Sequence, residues 1–181
     1  MATPLEIQQA AVVALKTALP DLATCAAYAG EFSGGELQRS SVVSPAVLVA
    51  CLGGARDGDV DDGSVDWLFR FAAYCMTRSS AGRGRRADDA LELAWSAVTA
   101  LDAQRFGLTG VWPAKVVRVD NLYAEAFDKA SVALWAVTWE HRARLFAEEE
   151  PAGSRPEEIY LGMAPKIGKP HKDDYMKVWP E

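Results

Sequence analysis

The residues best suited to chemistry fall in three short stretches. Asp57-Gly58-Asp59-Val60-Asp61-Asp62-Gly63 carries the alternating carboxylates of a calcium loop. The match breaks twice: Asp62 stands where the sharp turn needs glycine, and Leu68 where a bidentate glutamate would close the coordination sphere. The expectation is a solvated acidic loop, open to loose divalent contact but not a dedicated calcium site. His141 follows Trp139 by two residues and could serve as a base. No serine or cysteine in a nucleophile motif accompanies it, so the expectation is a structural residue near a strand end. His171 lies in the C-terminal tail, and two histidines are too few for a histidine-rich metal site. No CxxC occurs, so a zinc knuckle has nothing to build on. No catalytic, cofactor-binding or metal-ligating residue is assigned.

A second kind of chemistry is recognition. Arg78, Arg83, Arg85 and Arg86 form the concentrated basic cluster, interleaved with Ser79, Ser80, Gly82 and Gly84. Guanidinium groups on flexible backbone can meet phosphates or carboxylates of a partner, and the bland alternative is a hydrated loop joining a strand to a helix. The cluster lacks a glycine-lysine-serine/threonine ending, so it is no nucleotide-binding loop. Among six tryptophans, Trp67, Trp95, Trp135 and Trp139 fall on apolar periodic faces and are expected in the core. Trp112 and Trp179 fall in loop and tail contexts, where an aromatic anchors an interface. The interface candidates are therefore the four arginines with Trp112, Tyr160, Met163, Tyr175 and Trp179.

These residues need elements to position them. The chain of 181 residues, half hydrophobic and 24% charged, suffices for one well-buried core and is short for two. A net charge of −6 argues against a protein that coats nucleic acid. Cys25, Cys51 and Cys75 sit in apolar strand-like stretches and are expected as reduced, core-packed thiols. No basic region followed by a long apolar core opens the chain, so no signal peptide is readable. The longest apolar run, Pro45–Leu52, is far below membrane-spanning length. Synthesis inside the cell is the expectation.

Thr3-Pro4-Leu5-Glu6 is a helix start, with Thr3 as cap and Glu6 at the capping-box position. Ile7, Ala11, Ala14, Leu15 and Ala18 then form an apolar stripe. Thr24–Ala29 reads as a short strand, Glu31–Ser44 as a loop, and Pro45–Leu52 as a strand. Gly53–Gly63 reads as an acidic turn or arm, longer than a tight hairpin. Val65–Met76 alternates, with Val65, Trp67, Phe69, Phe71, Ala73 and Cys75 on one face and Asp66, Leu68, Arg70, Ala72, Tyr74 and Met76 on the other. That pattern predicts a sheet whose second face is only partly open. Arg86–Asp102 predicts a helix with Ala90, Leu91, Ala94, Trp95, Val98 and Leu101 along one side. Phe106–Pro113 reads as a turn, Lys115–Val119 as a strand that Asn121–Phe127 could continue, and Ser131–Leu145 as a long strand. The order predicts an α/β (α+β) two-layer sandwich over residues 1–146, with two main helices packed on one face of a mainly antiparallel sheet. Residues 147–181, with Pro156, Pro165, Pro170 and Pro180, read as an extended tail or docking arm.

Across about Leu5 to Leu145 the chain resembles the tail terminator (tail completion) proteins of Mu-like phages and prophages. The resemblance is carried by the helix Leu5–Leu19 running into Leu22 and a short strand, and by Pro45-Ala46-Val47-Leu48-Val49. It continues through Val65–Met76 with its following loop, the helix Ala87–Leu101 and the closing strand Ser131–Trp139. It implies an α/β fold and a ring, commonly a hexamer, that caps the tail tube, stops its growth and faces the head-proximal connector or neck. It implies no catalysis and no cofactor, and a place in the tail or neck of a virion made in the cytoplasm of a bacterial host. Gly53–Gly63, Arg78–Arg86 and the tail after Glu150 would be natural places for contacts. The alternatives are another head–tail connector or neck adaptor, a small nucleic-acid-binding module using Arg83, Arg85 and Arg86, and an enzyme with His141 or a carboxylate as base. Membrane association and direct nucleic-acid contact are not expected.

Overall fold

Thr3 caps the first helix, α1 (Pro4–Ala18), through a reciprocal capping box: the Glu6 N–H donates to Thr3 Oγ1 at 3.2 Å, and the Thr3 N–H donates to Glu6 Oε2 at 2.7 Å. Those bonds, the backbone one foremost, hold the Glu6 carboxyl below its usual range. The computed structural model describes residues 2–30, 42–61, 63–78, 83–122, 131–145 and 158–179. The chain divides into two compact units, Met1–Ala147 and Glu148–Glu181.

The first unit holds β1 (Thr24–Tyr28), β2 (Ala46–Asp59), β3 (Val65–Arg78), α2 (Arg83–Leu101), β4 (Lys115–Asn121) and β5 (Val132–Leu145). The sheet order is β1-β2-β3-β5-β4; β1 runs parallel to β2, and the other pairs are antiparallel. Both helices pack on one face. Their Ile7, Ala11, Leu15, Ala94, Ala97 and Leu101 meet Val47, Val49, Phe69, Phe71, Ala73, Cys75, Val137 and Trp139 of the strands. Phe71 and Trp139 stack at 5.4 Å in the middle of this layer. The period-two alternation expected for β3 and β5 is thus realised.

The second face is split along its length. Ala46, Leu48, Ala50, Ala72, Tyr74, Met76, Val132, Leu134 and Ala136 form a second buried apolar cluster. Toward the β2–β3 turn, ion pairs replace it: Asp57 with Arg142, Asp66 with Arg144, and Arg70 with Glu140.

Three expectations are corrected. Gly53–Asp59, expected in a turn or arm, continues β2, and its residues are exposed. The register with β3 holds it there, from Gly53 opposite Arg70 to Asp59 opposite Val65, with irregularities between Cys51 and Gly53 and between Arg56 and Gly58. Gly54 fits because a Cβ there would lie 2.4 Å from the Phe69 ring. The hairpin is therefore tight, closed by Val60 N–H to Ser64 O and Gly63 N–H to Val60 O, both 2.9 Å. The second helix starts at Arg83, not Arg86, so three arginines belong to its first turn. Trp95, expected in the core, is 66% exposed, because the alanines at 90, 94 and 97 take the inward positions. The continuation of β4 past Leu122, the loop residues 31–41 and 79–82, and the tail residues 146–157 lie outside the described residues.

In the second unit, β6 (Ile159–Leu161) pairs antiparallel with β7 (Met176–Trp179), and a 3-10 helix, Lys169–Asp174, lies between them. Gly162 passes under the Tyr175 ring, where a Cβ would approach it to 2.6 Å. The tail thus contains a strand–helix–strand element of its own.

Candidate interaction surface

The arginine cluster sits where β3 hands over to α2. Arg78 is the exposed last residue of β3, and its N–H donates to Ser44 Oγ at 2.7 Å. Arg83 opens α2 and Arg85 is exposed in its first turn. Arg86 is only 6% exposed, and its carbonyl accepts the Thr77 hydroxyl at 3.0 Å, tying the helix start to the strand end. Cations in the first turn run against the helix dipole, and α2 has no acidic residue there. Helix stability does not account for that placement.

Trp112 lies elsewhere, half-buried beside β5. Its backbone N–H donates to the Arg142 carbonyl at 2.9 Å, and the Arg144 guanidinium lies 5.0 Å from the centre of its ring. The tail candidates gather in the second unit. The Tyr160 hydroxyl donates to Glu158 at 2.7 Å, and this bond holds its proton more tightly than in a free tyrosine. Lys177 bonds the same carboxylate at 2.6 Å. Met163 is exposed, Tyr175 accepts the Gly168 N–H at 2.8 Å, and Trp179 ends β7 opposite Ile159. Ile159, Tyr160, Leu161, Met163, Ile167, Met176 and Val178 are all exposed, a large apolar share for so small a unit. The first unit therefore brings the arginines together, the second brings Tyr160, Met163 and Tyr175 together, and Trp112 stands apart.

The residues that could have served catalysis are otherwise engaged. His141 is fully buried, its Nε2–H donating to the Gln104 carbonyl at 3.0 Å, with Phe71 and Phe106 edge-on to its ring. Burial pushes its pKa down, only partly opposed by the Gln104 bond. Nδ1 has no partner among the described residues. A base needs access to substrate, and this ring has none. In the acidic segment Asp57 is paired with Arg142 and Asp59 with Arg56. Among the described residues no group of three or more His, Cys, Asp or Glu could hold a metal ion.

Sequence reasoning missed the ionic ladder of the second face and the exposed Leu91–Trp95 pair. The ladder had a signal: Asp66 and Arg70 share parity on one strand, and Glu140, Arg142 and Arg144 share it on the other. Opposite charges at matching parity are the mark of cross-strand pairing.

The described residues thus form a two-layer α/β domain that buries His141 and exposes Arg78, Arg85, Leu91 and Trp95. The family model described as Bacteriophage Mu, Gp37 matches residues 5–143, most of the chain and nearly all of the α/β unit. The chain belongs to this family. It is a structural phage protein of the tail terminator or connector type, not an enzyme. No curated protein matches it. No helix among the described residues is long and apolar enough to cross a membrane.

Proposed function

We propose that the protein closes into a ring on the last ring of the tail tube, ends tube growth and presents its other face to the head-proximal neck. The observation that carries this reading is the family match over residues 5–143. On this reading, residues 1–146 build the ring body and 147–181 form a docking arm. The ring has six copies, as the resemblance to tail terminators implies, and its place is the tail or neck of the virion. Closed cyclic symmetry limits growth around the ring, since every heterologous contact is satisfied. Capping then requires one face matched to the tube and another unlike it.

Arg78, Arg83 and Arg85 are the candidates for polar contact, because their placement at the β3–α2 junction serves no visible need of the helix. Arg86 contributes by holding that junction in place. Tyr160, Met163, Tyr175 and Trp179 are the candidates on the arm, supported by the exposure of Tyr160 and Met163. Trp112 completes the set. The test is the length distribution of tail tubes polymerised with and without the protein. Shortened tubes that no longer elongate support capping; unchanged lengths, with binding to an isolated connector, favour a neck adaptor.

A further inference from the structure

The connection from α2 to β4, residues 102–114, is both strained and pinned. Ala103 and Phe106 hold a Cβ in the left-handed backbone region, at φ 61° and 54°, and Gly107 and Gly110 share that region at 69° and 72°. Ala103 stands just past the end of α2, where helices commonly place glycine. Side chains in such conformations persist only where surrounding contacts hold them. Here the contacts run to the sheet and across the connection itself. The Ala103 N–H donates to the Ala114 carbonyl at 2.9 Å, and the Ala114 N–H to the Gln104 carbonyl at 2.7 Å. The backbone N–H of Trp112 donates to Arg142, and that of Arg144 to the Gly110 carbonyl at 2.8 Å, which lays the segment along β5. Phe106 and Leu108 pack on the apolar cluster.

One side chain of β5 pins the middle of this segment. His141 Nε2 lies 3.0 Å from the Gln104 carbonyl, the same oxygen that accepts the Ala114 N–H. A carbonyl only accepts, so Nε2 carries the proton and Nδ1 of the neutral ring is bare. Nδ1 is buried with no partner among the described residues. No charged side chain among those residues faces the ring, whose proton affinity follows from burial and the Gln104 bond. Toward it β3 turns Phe69 and Phe71, β5 turns Trp139 and Ala143, α2 supplies alanines and Leu101, and the connection adds Phe106. Asp57, Asp66, Arg70, Glu140, Arg142 and Arg144 pair on the opposite face of the sheet. The Asp102 carboxylate accepts the Val116 N–H at 3.0 Å, and Arg105 lines an outer groove with Leu108 and Trp112. Lys115 is exposed on β4.

We propose that His141 is an acid-sensitive latch: when Nδ1 takes a proton, the segment carrying Phe106 and Trp112 lifts from β5 while the sheet stays folded. A proton on Nδ1 creates a buried cationic donor with no acceptor in an apolar box, which is costly. Lifting the segment opens the ring to water, which solvates that donor. The same movement frees Ala103 and Phe106 from their left-handed backbone, so strain and proton act in one direction. The docked state therefore binds the proton less tightly than the lifted one. Docking is complete above the ordinary histidine pKa of about 6.5 and weakens as pH falls below it. Trp112 leaves its place beside Arg144 in the same step. The latch does not depend on the ring reading above.

The test is amide hydrogen exchange of the full chain by NMR, read as protection factors corrected for the intrinsic rate at each pH. The amides of Ala103, Trp112, Ala114 and Arg144 report the segment, and that of Ala73 in central β3 reports the whole sheet. The segment amides are expected to be less protected than Ala73 at every pH. They should lose protection by up to about tenfold per pH unit below about 6.5, the limit for one proton. Ala103→Gly keeps every hydrogen bond and removes the strained Cβ, so it should raise segment protection several-fold at each pH with the slope unchanged. His141→Phe removes pin and proton together, and should leave segment protection low and level with pH. Should that variant fail to fold, the wild type and Ala103→Gly decide. Segment protection that stays flat from pH 7 to about 5.5 overturns the latch. So does a segment as protected as Ala73, which opens only with the whole sheet, or a pH slope that survives in His141→Phe. An Ala103→Gly variant with no gain overturns the role of strain.

Discussion

Asp66 and Arg144 face each other across β3 and β5 and form a two-pronged ion pair, Nε to Oδ1 at 2.8 Å and the second guanidinium nitrogen to Oδ2 at 3.0 Å. Both side chains are largely buried, and the arginine also lies over Trp112. One guanidinium thereby ties the middle strands to the segment that carries Trp112. A paired geometry of this kind is stronger and less screened than a surface salt bridge.

Asp66→Asn keeps the shape and removes the charge. It is expected to lower unfolding free energy by about 1–3 kcal/mol, the range for hydrogen bonds to charged groups. Urea titration with intrinsic tryptophan fluorescence measures it. The loss should change little between low and moderate salt, whereas a loss that vanishes at moderate salt would make the pair an ordinary surface one.

His141 makes stability depend on pH in a defined direction. The folded protein holds it neutral, with its pKa below the usual 6.5, so the unfolded chain binds more protons once pH falls below about 6.5. Stability is therefore full above that value, declines as pH drops toward the folded pKa, and gains no further loss from this group below it. His141→Phe removes the titrating group and also the Gln104 bond. It is expected to be less stable at pH 7.5 but to lose less between pH 7 and 5.5 than the wild type. Urea midpoints at three pH values check both statements; equal slopes would remove His141 as the cause.

The cysteines should differ in reactivity. Burial pushes the Cys75 thiol up to about 12 and raises Cys25 as well. The thiolate is the reactive form, so neither should label readily in the folded state. Cys51 is partly exposed and should label first. Iodoacetamide at pH 8 with peptide mapping, native and then in urea, reads the order. Rapid native labelling of Cys75 would contradict the packing described here.

Much of the fold was legible because its central strands are regular. Val65–Met76 and Ser131–Leu145 alternate cleanly, and both faces of each are apolar over half their length. The capping box of Thr3 and Glu6 was equally readable. The outer part of β2 was hidden because Leu52–Asp59 is exposed and glycine-rich, so neither burial periodicity nor propensity marks it as strand. Trp95 misled for a packing reason. Its helix sits close to the sheet on alanines, and a tryptophan a third of a turn away is displaced to the flank. Partner surfaces were least legible, since an exposed aromatic and a core aromatic have the same period in a sequence.

The most direct measurement is native mass by light scattering, followed by imaging of labelled protein on preassembled tail tubes. The account predicts a ring, either free or formed on binding, located at one end of each tube. A persistent monomer that decorates neither end of the tubes would contradict it.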